Sequence, residues 1–580
     1  MKTISLFFLA LLIISCESKV ENTKTDFPTP FETSNKTETA TYDQVIDFYL
    51  KLSQEFSTIN IQTIGTTDSG KPLHVVTYSA KGDFDFKKLG ENNTMMLINN
   101  GIHPGESDGI DATMLLFRDL ASNEIEIPNE TIIATIPIYN VGGALNRNST
   151  SRANQNGPLE YGFRGNAKNY DLNRDFIKTD TKNAETFAKI FHLINPDVFI
   201  DNHVSNGADY QYTLTHLFTQ HNKLGGKLGD YVHNSLMPQL QDSLLNSGWD
   251  ITPYVNVFNS PPEKGFQQFM DSPRYSTGYT TLWNTVGMMV ETHMLKPYNK
   301  RVEGTYELMR KMITITEKDG PDIRAMRDVT FTSKYPNSYY PTAFKIDSTK
   351  ASNYIFKGYK ADTIISEVTG LKRLKFDRNT PIETEVTYKD FYVPSDSVKI
   401  PKAYVIGKQW RNIIDKLDLN NIHYTTLQKD STITIESYKV NEYETYKAPY
   451  EGHYPHYNTT VNVEQITKEF HVGDIVIPID QPGFRYLLET LEPTAVDSFF
   501  NWNFFDTILQ QKEGFSPYVF EDTALELLEN DTILKFEFEE QKRTNPEFNE
   551  NWYQQLDWLF KQSKLYEEAH LQYPVYRIVE

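Results

Sequence analysis

Two histidines and a glutamate occupy positions where they could hold a metal ion. His103 and Glu106 form a His-x-x-Glu motif, and His203 follows far downstream. Two imidazoles and one carboxylate are the ligand types of a catalytic zinc, because three protein ligands leave the fourth tetrahedral position open for water. A His-x-x-Glu motif alone is common by chance, so its interpretation depends on the rest of the chain.

The elements that must position these side chains are short apolar runs bounded by turn residues. Longer helical patterns lie between several of them, and such alternation favours an α/β fold with a mixed, mostly parallel sheet and helices on both faces. The predicted strands cover residues 73–78, 94–98, 132–136, 198–200 and 286–290, and the predicted helices include 184–194 and 224–245.

Each candidate ligand follows the carboxyl end of one of these strands. His103 and Glu106 follow the second, His203 follows the fourth, and Glu291 follows the fifth in the same way. The carboxyl edge is where open α/β sheets place their sites. We therefore expect these four side chains to converge on one point.

The composition excludes several classes of partner and ligand. The net charge of -20 over 580 residues repels polyphosphate, and no stripe of Lys and Arg offsets it, so we expect no nucleic-acid partner. Cys16 is the single cysteine. An internal disulfide is therefore impossible, and any metal must be held by histidine and carboxylate.

The N-terminus has the features of an export signal. Lys2 precedes a short apolar run, 4–14, and the run ends just before Cys16. Residues 1–16 resemble the signal of a bacterial lipoprotein, in which the cysteine becomes an acylated N-terminus, and the alternative is an ordinary cleaved signal. We predict an exported protein anchored to a bacterial membrane through Cys16, in the periplasm or at the cell surface, with residues 17–40 as a flexible tether.

The segment Asp171-Leu172-Asn173-Arg174 lies between the first two candidate ligands and the third. Together with His-x-x-Glu, the later histidine and a still later glutamate, it resembles the pattern of the zinc metallocarboxypeptidases of the carboxypeptidase A type. The ordered set is more specific than any of its motifs. The resemblance covers residues 41–322 and implies a carboxypeptidase-like α/β fold.

The resemblance implies a role for each motif residue. His103, Glu106 and His203 would bind one zinc ion per chain, and Glu291 would act as general base and acid. The other roles concern the substrate and the ligands: Asn173 and Arg174 would bind the α-carboxylate of the peptide, and Asp171 would orient the first histidine.

Two further roles have more than one candidate. The family uses an arginine to stabilise the oxyanion, for which Arg152 fits better than Arg147, with Arg164 as a third candidate. The family also has a mobile tyrosine before the glutamate strand. Tyr275 is nominated, although no motif fixes the register and Tyr279 lies close by.

Two other histidine-containing segments have competing interpretations. His293 lies two positions after Glu291, so on a strand the two side chains would share a face. His293 would then either tune the protonation of Glu291 or be a hydrogen-bonded histidine without a catalytic part. The segment 451–456 carries two histidines, which suggest either a second metal site or, with Pro455, a turn at a domain junction.

After residue 322 the sequence no longer has the alternating strand and helix patterns of the preceding part. We predict a zinc carboxypeptidase domain over 41–322, opened by a helix whose Thr41 and Gln44 form a capping box. A β-rich connecting region over 323–399 and an α+β accessory domain over 400–580 follow, and their role is not indicated by the sequence.

The leading hypothesis is a zinc-dependent carboxypeptidase that shortens peptides with a free C-terminus. Its rivals are an amidohydrolase of the aspartoacylase or succinylglutamate desuccinylase kind and a peptidase acting on peptidoglycan stem peptides. A non-catalytic surface protein that keeps the fold for binding would be expected to lack a ligand or the base, whereas all of these residue types are present.

Overall fold

The computed structural model describes residues 27–205, 207–331 and 338–579. The strands are β1 (Ile59–Thr66), β2 (Pro72–Tyr78), β3 (Thr94–Asn99), β4 (Thr131–Ile136), β5 (Val198–Ser205), β6 (Leu214–Phe218), β7 (Ile251–Pro253), β8 (Phe266–Gln267), β9 (Val286–His293), β10 (Tyr339–Ile346), β11 (Ser352–Ile365), β12 (Lys372–Lys389), β13 (Tyr392–Lys399), β14 (Ala403–Ile406), β15 (Thr425–Thr426), β16 (Ser431–Thr445), β17 (His456–Phe470), β18 (Ile475–Pro478) and β19 (Val575–Ile578).

Helices connect and cover these strands. They are α1 (Pro30–Thr33), α2 (Tyr42–Glu55), α3 (Phe86–Asn92), α4 (Asp108–Ala121), α5 (Val141–Leu145), α6 (Lys182–Ile194), α7 (His221–Leu224), α8 (Gly226–Tyr231), α9 (Met237–Leu245), α10 (Ser276–Thr281), α11 (Tyr298–Phe331), α12 (Arg411–Leu419), α13 (Phe484–Leu491), α14 (Pro517–Asn530), α15 (Thr532–Thr544), α16 (Pro546–Glu550) and α17 (Trp552–Gln562).

The part of the chain that we predict to be catalytic is built on an eight-stranded mixed sheet in the order β1-β2-β4-β3-β5-β9-β6-β7. The central strands β4, β3, β5 and β9 run parallel, and β1 and β2 join this group through antiparallel pairings. At the other side β6 pairs antiparallel with β9 and parallel with β7. Every residue of β3, β4 and β5 is buried, so both faces of the sheet are covered. The predicted fold class is confirmed.

The predicted helix that opens the catalytic part is α2. Thr41 accepts a hydrogen bond from the backbone of Gln44, whose side chain in turn accepts one from the backbone of Thr41. The reciprocal bonds satisfy N–H groups that no helical carbonyl reaches, so the helix begins where the sequence predicts.

The predicted helix at 224–245 is divided into α7, α8, a π-helical turn and α9. Gly225 and Gly226 both have positive φ, 70° and 57°, a conformation that interrupts a right-handed helix. The hydrophobic periodicity continues across the break, which is why the sequence pattern alone suggested a single helix.

Residues 27–40 do not form the tether that we predicted. Phe31 is buried, Thr29 and Glu32 form a capping box around α1, and Glu32 Oε2 lies 2.7 Å from Arg118 Nη1. The prediction was wrong here because it relied on polar composition, whereas one aromatic anchor and one ion pair dock the segment on α4. The signal segment and Cys16 lie outside the described residues.

The predicted boundary at residue 322 lies in a helix. It falls inside α11, which continues to Phe331 with Pro321 in its interior. The helix packs on α4 and α9.

Antiparallel sheets dominate the rest of the chain. β11 and β12 form a long hairpin that β8 extends, β10 pairs with β13, and a six-stranded sheet has the order β15-β18-β14-β19-β16-β17. The last helices, α14 to α17, bury a separate apolar cluster. Within the described ranges, no helix combines the length and apolar character needed to cross a membrane.

Candidate active site

His103, Glu106 and His203 come together as predicted and are called the metal cluster below. Glu106 Oε2 lies 3.2 Å from Nδ1 of His103 and 3.1 Å from Nδ1 of His203. One ligand atom from each residue lies within 4.8 Å of the others, and all three residues are 3% exposed. The donor set and spacing therefore suit a single tetrahedral cation.

The outer nitrogen of each histidine is bonded to a carboxylate. Asp171 Oδ1 lies 2.9 Å from Nε2 of His103, and Asp201 Oδ2 lies 2.9 Å from Nε2 of His203. Asn99 in turn donates a 2.9 Å hydrogen bond to Asp201. These bonds fix both rings with Nδ1 towards Glu106, the arrangement in which a metal-ligating histidine is held by a second partner. The role of Asp201 was not predicted.

Glu291 reaches the same point from β9. It stands next to His203 in the parallel register of β5 and β9, and its backbone carbonyl accepts a 2.8 Å hydrogen bond from Thr215. Burial, together with the negative charge of Glu106, raises the pKa of Glu291 to about 7. A carboxylate with that pKa is suited to both accepting and returning a proton near neutral pH.

The structure separates the three candidate arginines. Arg152 Nη1 lies 2.6 Å from Glu106 Oε1, and Arg164 Nη1 lies 3.5 Å from the same atom while its Nη2 lies 2.8 Å from Asp171. Arg147 instead donates hydrogen bonds to the backbone carbonyls of Thr39, Ala40 and Glu160 and does not line the cavity of the metal cluster. Arg152 and Arg164 thus both lie at the metal cluster, whereas Arg147 does not.

Asn173 and Arg174, called the clamp pair, lie in a short 3-10 turn. Asp171 accepts a 3.0 Å hydrogen bond from the backbone of Asn173 and so caps that turn. The guanidinium of Arg174 lies 4.5 Å from the ring centre of Tyr275, and Asn173 Oδ1 lies 3.4 Å from the backbone nitrogen of Ser276. The structure therefore brings the nominated tyrosine to the clamp pair.

One cavity of about 290 Å³ joins these groups. The metal cluster, Arg152, Arg164, the clamp pair, Tyr275 and Glu291 all line it. Tyr254 and Asp271 line it as well, although no motif had indicated them. Both belong to the irregular segment between β7 and α10, where the sequence has no pattern that fixes which side chains point inwards.

His293 does not have the contact with Glu291 that a role in tuning this carboxylate would require. Its ring is fully buried and stacks on Tyr210 at 4.2 Å between centroids, and its Nε2 lies 3.6 Å from Asp209 Oδ1. Glu291 is not among its described contacts. Glu291 and His293 are two positions apart on β9 and so share a face of the strand, but the His293 ring packs against Tyr210.

The C-terminal region contributes to the site through the turn around residues 450–453. His453 Nε2 lies 2.7 Å from Asp180 Oδ2, and Glu451 accepts a hydrogen bond from the backbone of Asp171. The structure therefore has a turn at the junction between the two halves, as the second interpretation of this segment predicted. In addition, Arg274 Nε donates a 2.8 Å hydrogen bond to Asp497, which fixes the loop before Tyr275.

A model of a known protein family matches part of the chain. The family is described as zinc carboxypeptidase, and the match spans residues 45–196. That segment contains His103, Glu106, Asp171 and the clamp pair but ends before His203 and Glu291. The last two residues are therefore assigned to the site by the geometry of β5 and β9 alone.

The chain is also similar to individual proteins. It is 20% identical over 433 residues to carboxypeptidase 2 of Trichophyton rubrum. The aligned region covers 69% of this chain and 72% of the relative. Among solved structures, a metallo-carboxypeptidase from Burkholderia cenocepacia aligns with a TM-score of 0.36 at 13% identity, over 48% of this chain and 69% of that one. Carboxypeptidase A from Helicoverpa armigera aligns with a TM-score of 0.36 at 12% identity, over 48% of this chain and 73% of that chain.

Proposed function

We propose that this hydrolase, a metallocarboxypeptidase, removes C-terminal residues from peptides with the help of one zinc ion. The observation that carries the proposal is that one cavity holds the metal cluster, a carboxylate base and an asparagine–arginine pair. The metal cluster and the base are what amide hydrolysis needs. A carboxylate-binding pair beside them restricts hydrolysis to the end of a chain.

The metal cluster provides the ligands that zinc prefers when a protein supplies no thiolate. The Nδ1 atoms of His103 and His203 both face Glu106 Oε2, at 3.2 and 3.1 Å, which fits nitrogens that share a metal with this carboxylate. When bound at such a site, zinc polarises the scissile carbonyl and lowers the pKa of a water molecule towards neutrality.

The proton transfers are assigned to Glu291. It accepts a proton from the attacking water and later delivers it to the leaving amine, so one carboxylate serves as base and then as acid. Its pKa, raised to about 7 by burial, favours this exchange because neither protonation state is strongly disfavoured near neutral pH.

The peptide is oriented by the arginines of the cavity. Arg174 and Asn173 hold the α-carboxylate, for which a planar guanidinium offers two parallel donors. Arg152 and Arg164 both face Glu106, on the side where negative charge develops on the carbonyl oxygen. Arg152 is the first choice for this role because its side chain is less exposed, 15% against 44%.

A mixed peptide library read by mass spectrometry tests the proposal. Products shortened from the C-terminus support it, whereas internal cleavage would exclude an exopeptidase. Cleavage of N-acyl amino acids would favour the amidohydrolase, and cleavage restricted to stem peptides would favour the cell-wall peptidase. The matched control is Glu291→Gln, which keeps the side-chain volume and removes the base. Equal activity of the two proteins would point to a contaminating peptidase.

The cellular location is a separate proposal that depends on the sequence alone. We propose that the protein is exported and acylated at Cys16, because the apolar run and the cysteine after it have the dimensions of a lipoprotein signal. Incorporation of a labelled fatty acid by the wild type but not by Cys16→Ser is expected. Equal labelling of both would contradict the anchor.

A further inference from the structure

A second cavity, called the basic cavity below, lies where α7, α8, β10 and α13 meet. Its volume is about 380 Å³, and it shares no lining residue with the active-site cavity. Pockets that take up small organic molecules have volumes of roughly 300 to 1,000 Å³. The basic cavity is therefore large enough for a ligand of its own.

The charged side chains in the wall of the basic cavity are all cations. They are Lys223, Lys227 and Arg485. No Asp or Glu is among the described residues that line the cavity. The chain as a whole has a net charge of -20, so a wall with three cations and no carboxylate differs from the overall composition. Such a wall is suited to an anion.

One of the three cations has a carboxylate partner in the described part of the chain. Lys223 Nζ lies 2.9 Å from Glu489, which also accepts a 2.7 Å hydrogen bond from the hydroxyl of Tyr340. Lys227 is exposed, and no ion pair is described for it. The positive charge of Lys223 is thus balanced, whereas that of Lys227 is not.

Arg485 is the most deeply buried cation of the wall, and 5% of its surface is exposed. Its Nη1 and Nη2 donate hydrogen bonds of 2.9 and 2.8 Å to the carbonyls of Lys223 and Leu224, at the end of α7. Its Nε has no acceptor within the described ranges. A buried guanidinium with an unpaired N–H group and no carboxylate partner costs free energy, which an anion in the cavity would offset.

The rest of the wall is mainly apolar. Leu224, Pro341, Phe344 and Phe484 line it, and Phe484 is 7% exposed. Apolar surface around a few polar groups is typical of small-molecule sites. A ligand that fits this wall has an apolar body next to its negative charge, since an inorganic anion would leave the apolar surface in contact with water.

Zwitterions fit this wall less well than plain anions. Free amino acids, the products of a carboxypeptidase, have an ammonium group beside the carboxylate. In the basic cavity that group would lie among cations, with no carboxylate of the described wall to bind it, and like charges repel. An aryl or acyl carboxylate and a phosphate monoester have no positive charge and avoid this repulsion.

We propose that the basic cavity binds an amphipathic organic anion, a carboxylate or phosphate attached to an aromatic or aliphatic group. Its charged oxygens contact Arg485 and Lys227. The Nε of Arg485 donates a charge-assisted hydrogen bond, which is stronger than a bond between neutral groups. Lys227 adds a flexible ammonium group at the exposed side of the cavity. The site is separate from the metal cluster, so the proposal does not depend on the carboxypeptidase function.

Calorimetric titration of the metal-loaded protein tests the class of ligand. The probes are 1-naphthylacetate, 1-naphthyl phosphate, the neutral 1-naphthylacetamide and the zwitterion 3-(1-naphthyl)alanine. We expect the tighter of the two anions to bind at least tenfold more tightly than the amide and the amino acid, and its identity distinguishes a carboxylate from a phosphate site. If the amide or the amino acid binds within tenfold of that anion, or if neither anion binds at millimolar concentration, the proposal is wrong.

Four variants then locate the bound anion. Lys227→Gln and Arg485→Gln should each weaken binding of the tighter anion at least fivefold. Arg174→Gln is the control for binding at the clamp pair, which is itself proposed to hold carboxylates. Lys51→Gln, at an exposed position of α2, is the control for loss of a positive charge elsewhere. If binding is lost in Arg174→Gln and kept in Lys227→Gln and Arg485→Gln, the anion binds at the active site and the assignment to the basic cavity is wrong.

A circular dichroism spectrum and a melting temperature show whether each variant is folded. Arg485→Gln also removes two hydrogen bonds to α7, so a loss of binding counts only if this variant is folded. Lys227→Gln alters an exposed side chain and is expected to melt as the wild type does, which keeps the proposal testable if Arg485→Gln unfolds. Wild-type affinity in a folded Lys227→Gln or a folded Arg485→Gln protein would contradict the contacts assigned here.

Discussion

The carboxylate of Glu451 accepts a 2.8 Å hydrogen bond from the backbone N–H of Asp171. Asp171 orients His103 with one oxygen and binds Arg164 with the other. A residue of the C-terminal region thereby contacts the backbone of the turn that carries the clamp pair. The C-terminal half, whose role the sequence did not indicate, therefore contacts the segment that contains Asn173 and Arg174.

Removal of the Glu451 carboxylate should loosen that turn. In Glu451→Ala the amide of Asp171 loses its acceptor, and a typical intramolecular hydrogen bond contributes about 1 kcal/mol to stability. We expect kcat/KM to fall roughly fivefold, mainly through KM, and hydrogen exchange of the 169–175 peptide to accelerate. Glu451→Gln keeps an acceptor and is the control. Unchanged exchange in Glu451→Ala would contradict the positioning role.

Replacement of Asp171 should weaken metal binding. Its Oδ1 fixes the ring of His103, and loss of such a partner typically lowers metal affinity roughly 10- to 100-fold. We expect this decrease for Asp171→Asn in competition with a chromogenic chelator. Asp250→Asn is a control for loss of a carboxylate outside the site. Wild-type affinity of Asp171→Asn would show that the bond does not orient the ligand.

Replacement of Glu291 should separate metal binding from catalysis. Glu291 is not a member of the metal cluster, so Glu291→Gln should keep the metal content of the wild type. Its kcat should fall by roughly 10²- to 10⁴-fold because the proton acceptor is lost. Glu303→Gln, at the surface of α11, is the control. A Glu291→Gln protein that has lost its metal would assign this residue to the ligands instead.

The convergence of the metal cluster and Glu291 could be predicted because short apolar runs indicate the strands that carry or precede these residues. His103 and Glu106 follow β3, and His203 lies inside β5 near its carboxyl end, because β5 continues beyond the predicted strand to Ser205. The carboxyl ends of parallel strands meet at one edge. The third strand involved, β9, delivers Glu291 in the same way. Local sequence therefore contains most of the information that this part of the site requires.

The residues that were missed depend on contacts between distant parts of the chain. Glu451 meets Asp171 across 280 positions, and nothing near either residue indicates the other. Tyr254 and Asp271 lie in the segment between β7 and α10, where no periodicity shows which side chains point into the cavity. Phe31, within the predicted tether, was missed because one buried aromatic ring has little influence on the composition of its segment.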